Sequence, residues 1–198
     1  VIITATTQMR RPPCLPLVEG PTPEHRRAAR EGHGVVTVGS FFRGNKLSGA
    51  GTPEELRRAA DVVLVEADGA KRLPLKAPAE HEPVIPPCAD AVAAVAGMDA
   101  VGQAVGAVCH RPERVCALLG AGAEHVLTPE DVALLLANPQ GGRKGVGEAM
   151  AFRCVLNKAD TPQRAAHASA VAGRLAERGI HSAITYYREE ERGGLCWF

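Results

Sequence analysis

Val62-Val63-Leu64-Val65-Glu66-Ala67-Asp68-Gly69-Ala70-Lys71-Arg72-Leu73-Pro74-Leu75-Lys76-Ala77-Pro78 is the stretch that decides how this chain reads. Its four leading aliphatic residues, three of them β-branched, suit a strand buried on both faces of a parallel sheet. The run ends in two carboxylates, Glu66 and Asp68, then Gly69, then three cations, Lys71, Arg72 and Lys76. Residues i and i+2 of a strand point the same way, so both carboxylates are expected to leave one face together if the strand persists to Asp68. In an open α/β sheet, ligands bind at the carboxyl ends of the strands. An acidic strand end followed by a basic loop therefore reads as a site for a metal and a phosphate. The same residues also read as a strand end whose acids pair with their own loop lysines, and both readings stay open here.

Working outward, strands alternate with helices. Val1-Ile2-Ile3-Thr4 reads as a strand already under way, and Thr6 and Thr7 follow at its carboxyl end. Hydroxyls there ligate Mg²⁺ or bind phosphate; equally, they cap a turn. Pro12, Pro13 and Pro16 force an irregular connection. Pro23 to Glu31 is a short charged helix that Gly32 ends. Val35 to Gly39 is a second strand, and Phe41 to Gly51, with three glycines, is a turn or hairpin. Thr52-Pro53-Glu54-Glu55 carries a capping threonine, a first-turn proline and an acid at the third position, so a helix runs from it to Ala60. Past the opening stretch, Ala79 to Pro87 is an ordered loop holding Glu80, His81 and Glu82 among prolines. Ala91 to Gly97 is a strand, Arg111 leads a helix through Leu119, and Thr128-Pro129-Glu130-Asp131 starts another through Ala137. Gly141 to Gly147 lacks the spacing and preceding strand of a phosphate loop and reads as a flexible connector. Phe152 to Leu156 is a strand, Thr161 to Arg178 a helix closed by Gly179, and Ser182 to Tyr187 the last strand. A polar segment, Arg188 to Gly194, and an apolar tail, Cys196-Trp197-Phe198, end the chain. This alternation predicts a three-layer α/β fold with a mostly parallel sheet, the strand ends at Thr4, Glu66 and Asn157 lying on one edge of it.

The 198 residues fit a single α/β nucleotide-binding-type domain. Hydrophobic residues are 45% of the chain but aromatics only 4%, so the core must be built from Val, Leu, Ala and Ile. A net charge of +1 without one-sign runs gives no electrostatic case for nucleic acid or an anionic membrane. No apolar stretch approaches the length of a membrane span, and no signal peptide is evident. The six cysteines form no C-x-x-C pair, which argues against zinc and for reduced thiols in a cytoplasm.

A second motif, Asn157-Lys158-Ala159-Asp160, directly follows an apolar strand. An aspartate there can accept paired hydrogen bonds from the adjacent N–H groups of guanine. The lysine stem can lie on the base, and the asparagine can brace the loop. The alternative is a turn plus helix cap, since Asp160-Thr161-Pro162 would begin a helix anyway.

Together these pieces resemble the phosphate-loop GTPases, which read guanine with N-K-x-D. The block V-E-A-D-G-A-K-R-L-P-L-K-A-P-A-E-H-E-P-V-I-P, Val65 to Pro86, is more specific and resembles the YqeC family. The T-x-T-T-x-M segment at Thr4 to Met9, H-R-P-E-R at His110 to Arg114 and V-L-N-K-A-D at Val155 to Asp160 fit the same family, so the similarity spans nearly the whole chain. The resemblance implies a P-loop NTPase-like architecture and an accessory role in maturing selenium-dependent molybdenum hydroxylases, acting on the molybdenum cofactor or its selenium ligand. Family members carry a strand and a G-K-[ST] loop ahead of the threonine segment, and this chain begins without them. The expectation is that the chain is truncated or that phosphate binding is weak or lost. A partner or homo-oligomer is then expected to cover the exposed strand.

The resulting expectation is an NTP-binding, NTPase-type factor, with GTP the favoured nucleotide and Mg²⁺ the cofactor. Asp68 and Glu66 are the metal-binding or water-activating candidates, with Thr6 as a further metal ligand and Thr6 and Thr7 as phosphate contacts. Lys71, Arg72 and Lys76 hold phosphates or an anionic pterin-type ligand. Asn157, Lys158 and Asp160 read the base, and His81 and Glu82 are acid–base candidates. The alternatives are a non-hydrolytic carrier of a nucleotide-containing cofactor and a nucleotidyltransferase, which would release pyrophosphate.

Overall fold

A computed structural model of the protein describes residues 1–19, 32 and 34–186. The helix expected over 23–31, the end of the last strand at Tyr187 and the C-terminal tail lie outside the described residues. Among the described residues the fold is mixed α/β, with mostly parallel strand pairing.

The strand expected at the opening stretch is β7, Val63–Glu66, and it pairs in parallel with β1, Ile2–Ala5, setting Thr4 beside Val65 and Ala5 beside Glu66. On its other side β1 pairs with β4, Val36–Val38, which in turn pairs with β3, Leu17–Val18. β7 is therefore an edge strand of this sheet, ordered β3-β4-β1-β7. That corrects the expectation of a strand buried on both faces: Val62 and Leu64 remain 47% and 50% exposed. Aliphatic composition sets a residue's preference for burial, but only neighbouring elements can supply the cover. An antiparallel sheet of β2 (Gln8–Arg10), β6 (Lys46–Ser48) and β5 (Ser40–Arg43) contains the hairpin expected between Phe41 and Gly51. Helix α1, Pro53–Ala59, starts on a reciprocal capping box between Thr52 and Glu55 and buries Leu56 against Ile2, Val36 and Val38.

The polypeptide leaves β7 through Gly69 and turns at Lys71 and Arg72, both with positive φ (50° and 67°). Two successive left-handed residues cannot continue an extended strand. Here the chain divides into two compact units, the first comprising residues 1–69 and 84–88, the second 70–83 and the rest of the described chain from 89 onward.

In the second unit β8 (Leu75–Lys76) pairs with β10 (Cys109–His110), and β9 (Ala91–Gly97), β11 (Ala151–Asn157) and β12 (Ser182–Ile184) form a parallel sheet ordered β12-β11-β9. Its helices are α2 (Val105–Val108), α3 (Pro112–Leu119), α4 (Pro129–Ala137) and α5 (Pro162–Glu177). Met98, Leu127, Leu135, Leu156, Val171 and Leu175 lie in its core, an aliphatic interior as the composition requires. The strand ends at Thr4, Glu66 and Asn157 were expected on the edge of one sheet. β1 and β7 belong to one sheet and β11 to another, so that expectation is corrected.

The Gly141–Gly147 segment is not a slack connector. Gly142 N–H donates to Leu135 O and Arg143 N–H to Asn138 O, and a Cβ at Gly141 would lie 2.2 Å from Leu135 O. Cys88, Cys109, Cys116 and Cys154 carry free thiols. No helix among the described residues is long and apolar enough to cross a membrane.

Candidate functional site

The carboxyl end of β1 opens onto a cleft of about 320 Å³ in the first unit, lined by Thr4, Thr6, Thr7, Ser48, Gly49 and Gly51 among others. Its hydroxyls come from two stretches, Thr4, Thr6 and Thr7 at and just past the end of β1 and Ser48 at the end of β6. Thr4 is buried and its Oγ1 donates to Val38 O at 2.9 Å. Thr6 Oγ1 donates to Val84 O at 2.6 Å, and the Thr7 hydroxyl reaches Glu66 O at 3.5 Å. A hydroxyl that gives its hydrogen to a carbonyl keeps its oxygen lone pairs, so Thr6 can still ligate a cation. The cleft owes its shape to Gly49: a Cβ there would stand 2.0 Å from Ala5 O and 3.2 Å from Thr4 Oγ1.

Glu66 ends the adjacent strand β7, and Asp68 lies two residues beyond it. The strand does not persist to Asp68, so the i, i+2 alternation of a strand does not extend to this pair. Partial burial, and then the negative charge of Asp68, hold the Glu66 carboxyl above its ordinary value. The residue keeps solvent access, so the shift marks a crowded strand end rather than a sealed one. Among the described residues no group of three or more His, Cys, Asp or Glu side chains could hold a metal ion. A cation at this end would complete its coordination with hydroxyls, main-chain oxygens, water and its own ligand, as Mg²⁺ does on phosphates.

The basic loop belongs to the second unit. Lys71 and Arg72 are exposed. Lys76 is drawn inward to Glu82, with Nζ 2.9 Å from Oε2. Glu82 also accepts from Ala79 N–H at 3.0 Å and from both Nε and Nη2 of Arg111, at 3.1 and 2.9 Å. The forked contact from Arg111, then the Ala79 and Lys76 bonds, outweigh partial burial and hold the Glu82 carboxyl far below the usual carboxylate range. A carboxylate so saturated cannot exchange protons near neutrality, which removes Glu82 as an acid–base candidate. His81 beside it is 77% exposed, its Nε2 3.9 Å from Glu82 Oε1. Lys144, from the turn after α4, donates to the carbonyls of Ala79 and Glu80 and ties the same loop from a third side.

At the ends of β11 and β12, Asn157 Oδ1 accepts from Thr185 Oγ1 at 3.0 Å. Lys158 sits at φ 62° and its Nζ lies 2.6 Å from Asp99 Oδ2. Asp160 meets Arg164 Nη1 at 2.7 Å, one turn into α5, and this contact keeps its carboxyl below the usual range. The helix cap itself is Thr161, whose Oγ1 accepts from Arg164 N–H. Asp160 is therefore a solvent-facing carboxylate beside the cap rather than the cap.

Arg111, Lys144 and Asp99 are the residues that reading along the chain passes over. Arg111 carried one local signal, its place in H-R-P-E-R just ahead of a helix-starting proline. Lys144 and Asp99 carried none, because their partners lie 65 and 59 positions away.

The geometry can be set against known proteins. The model of a family described as YqeC protein matches residues 1–113, a span that covers the hydroxyl cleft, the acidic strand end and the Glu82 network. The uncharacterized protein YqeC of Escherichia coli (strain K12) is 34% identical over 159 residues, which cover 74% of this chain and 60% of that relative. No solved structure matches the chain. With the family model matching more than half of the chain and a relative 34% identical over 74% of it, the chain belongs to the YqeC family.

Proposed function

We propose that this chain is a nucleoside-triphosphate-binding maturation factor that selects GTP and uses Mg²⁺. The observation that carries the reading is the pairing of Glu66 with Asp68 at the end of a parallel strand, next to the threonine-lined cleft at the end of β1. Two carboxylates held together favour a divalent cation, and hydroxyl oxygens beside them add neutral ligands without further charge. Asp68 and Thr6 are then the metal ligands. Glu66, whose proton affinity is raised, is the group able to take a proton from an attacking water. The second unit, taken by itself, carries base-reading chemistry: Asp160 offers guanine two acceptor oxygens, Lys158 a stem to lie on the base, and Asn157 a brace through Thr185. Lys71, Arg72 and Lys76, of that same unit, are its phosphate contacts. In this reading the architecture is the three-layer, P-loop NTPase-like one, and the client is a molybdenum hydroxylase or a protein that matures its cofactor.

Calorimetry of GTP and ATP with and without Mg²⁺, followed by phosphate-release assays, tests the reading. The expected result is Mg²⁺-dependent binding that favours GTP and is lost in Asp68→Asn at unchanged melting temperature. Equal binding of both nucleotides, or binding indifferent to Mg²⁺, refutes it.

A further inference from the structure

The parallel pairing of β8 with β10 sets His110 directly beside Lys76. The next residue, Arg111, holds a left-handed conformation (φ 61°) and lays its guanidinium on Glu82, which also fixes Lys76. One carboxylate thus pins a cation on each side of His110. Lys71, strained at φ 50°, is a third cation near enough to act on the imidazole. Non-glycine residues persist at such angles where surrounding structure enforces them, commonly at ligand sites. Among the described residues, Nδ1 of His110 is shielded and has no hydrogen-bond partner. Loss of hydration, and then repulsion by Lys76, Arg111 and Lys71, keep the ring neutral below its ordinary titration range; Glu82 opposes them only in part. An arriving dianion would reverse the balance, because it attracts the same proton that the three cations repel.

We propose that His110, with Lys71, Lys76 and Arg111, forms an oxyanion site where binding of a phosphate-type dianion is coupled to uptake of one proton by the imidazole. The protonated ring donates Nε2–H to a phosphate oxygen, and its full positive charge makes that bond stronger than the one the neutral Nε2–H tautomer offers. The ligand group is a tetrahedral phosphate, whether free or at the end of a nucleotide. The site shares Lys71 and Lys76 with the nucleotide reading but requires neither the base-reading residues nor Mg²⁺.

The test follows the histidine ring signals of the whole chain by NMR between pH 8 and pH 5, alone, with inorganic phosphate and, in a separate arm, with GDP. Phosphate is expected to raise the His110 midpoint by about one pH unit, a tenfold gain in proton affinity. The exposed His81 and His181 should stay in place. Lys71→Ala should cut the shift, and His110→Gln should abolish proton uptake measured by calorimetry in buffers of different ionisation enthalpy. A response to both ligands identifies the phosphate group as sufficient, and a response to GDP alone identifies a nucleotide-borne phosphate. A His110 midpoint unmoved in both arms, or moved no more than that of His81, overturns the proposal. If GTP selectivity fails while His110 answers phosphate, the nucleotide reading falls and this one stands.

Discussion

Replacing Glu82 by alanine deletes a carboxylate that four donors share, one from Lys76, one from Ala79 N–H and two from Arg111. The side chains of Lys76, Glu82 and Arg111 keep 10%, 15% and 29% of their surface exposed, so water can replace little of what is lost. Removing one partner of a buried ion pair costs about 3–5 kcal/mol, because the remaining charge stays desolvated. Arg111 is nearly a third exposed and recovers part of its hydration, which lowers the expected cost to about 2–3 kcal/mol. At roughly 2–4 °C per kcal/mol for a chain of this size, Tm should fall by about 4–12 °C. The pH dependence gives a sharper check. The Glu82 pKa is depressed in the folded protein, so its stabilisation is fully present above the unfolded value of 4.5 and is lost as pH falls below it. Urea unfolding of the parent and Glu82→Ala at pH 7, 5.5 and 3 should show the full gap at the first two and a smaller gap at the third. A gap under about 1 kcal/mol at pH 7, or one that does not shrink at pH 3, would refute the claim that this network clamps the 79–83 loop.

Asp160→Asn should leave Tm nearly unchanged, because its exposed pair with Arg164 is worth at most about 1 kcal/mol, while calorimetry should show preference moving from guanine toward xanthine nucleotides. Asp68→Asn should abolish Mg²⁺-dependent turnover with Tm intact; a fallen Tm with unchanged turnover would make the acidic end structural only. Gly49→Ala forces a methyl group to within 2.0 Å of Ala5 O, so it should destabilise the first unit by about 1–3 kcal/mol and weaken nucleotide binding through the distorted cleft. Thr128→Ala should cost about 1 kcal/mol by removing one side of the α4 capping box, measured as a shift of the urea midpoint.

Local chemistry was legible in the sequence by itself wherever its partners were close along the chain. The capping boxes at Thr52 and Thr128 were readable because both partners lie within four residues, and the α4 bounds follow from one of them. The parallel strands at 63–66, 91–97 and 151–157 were readable from aliphatic runs with polar ends. The i, i+2 alternation expected to carry Glu66 and Asp68 off one face stops at Glu66, where β7 ends. What the tertiary structure decided was which groups are neighbours and which are covered. Leu64 of β7 and Val62 just before it stay exposed because the fold leaves their face uncovered, which composition does not encode. Glu82 changed from a proton-transfer candidate to a saturated anion because Arg111, 29 positions on, folds onto it. Lys76 faces His110 only through the β8–β10 register. A residue's polarity and backbone preference are set by its own atoms and its near neighbours, whereas its charge state and exposure are set by distant atoms that the fold alone brings within a few ångströms.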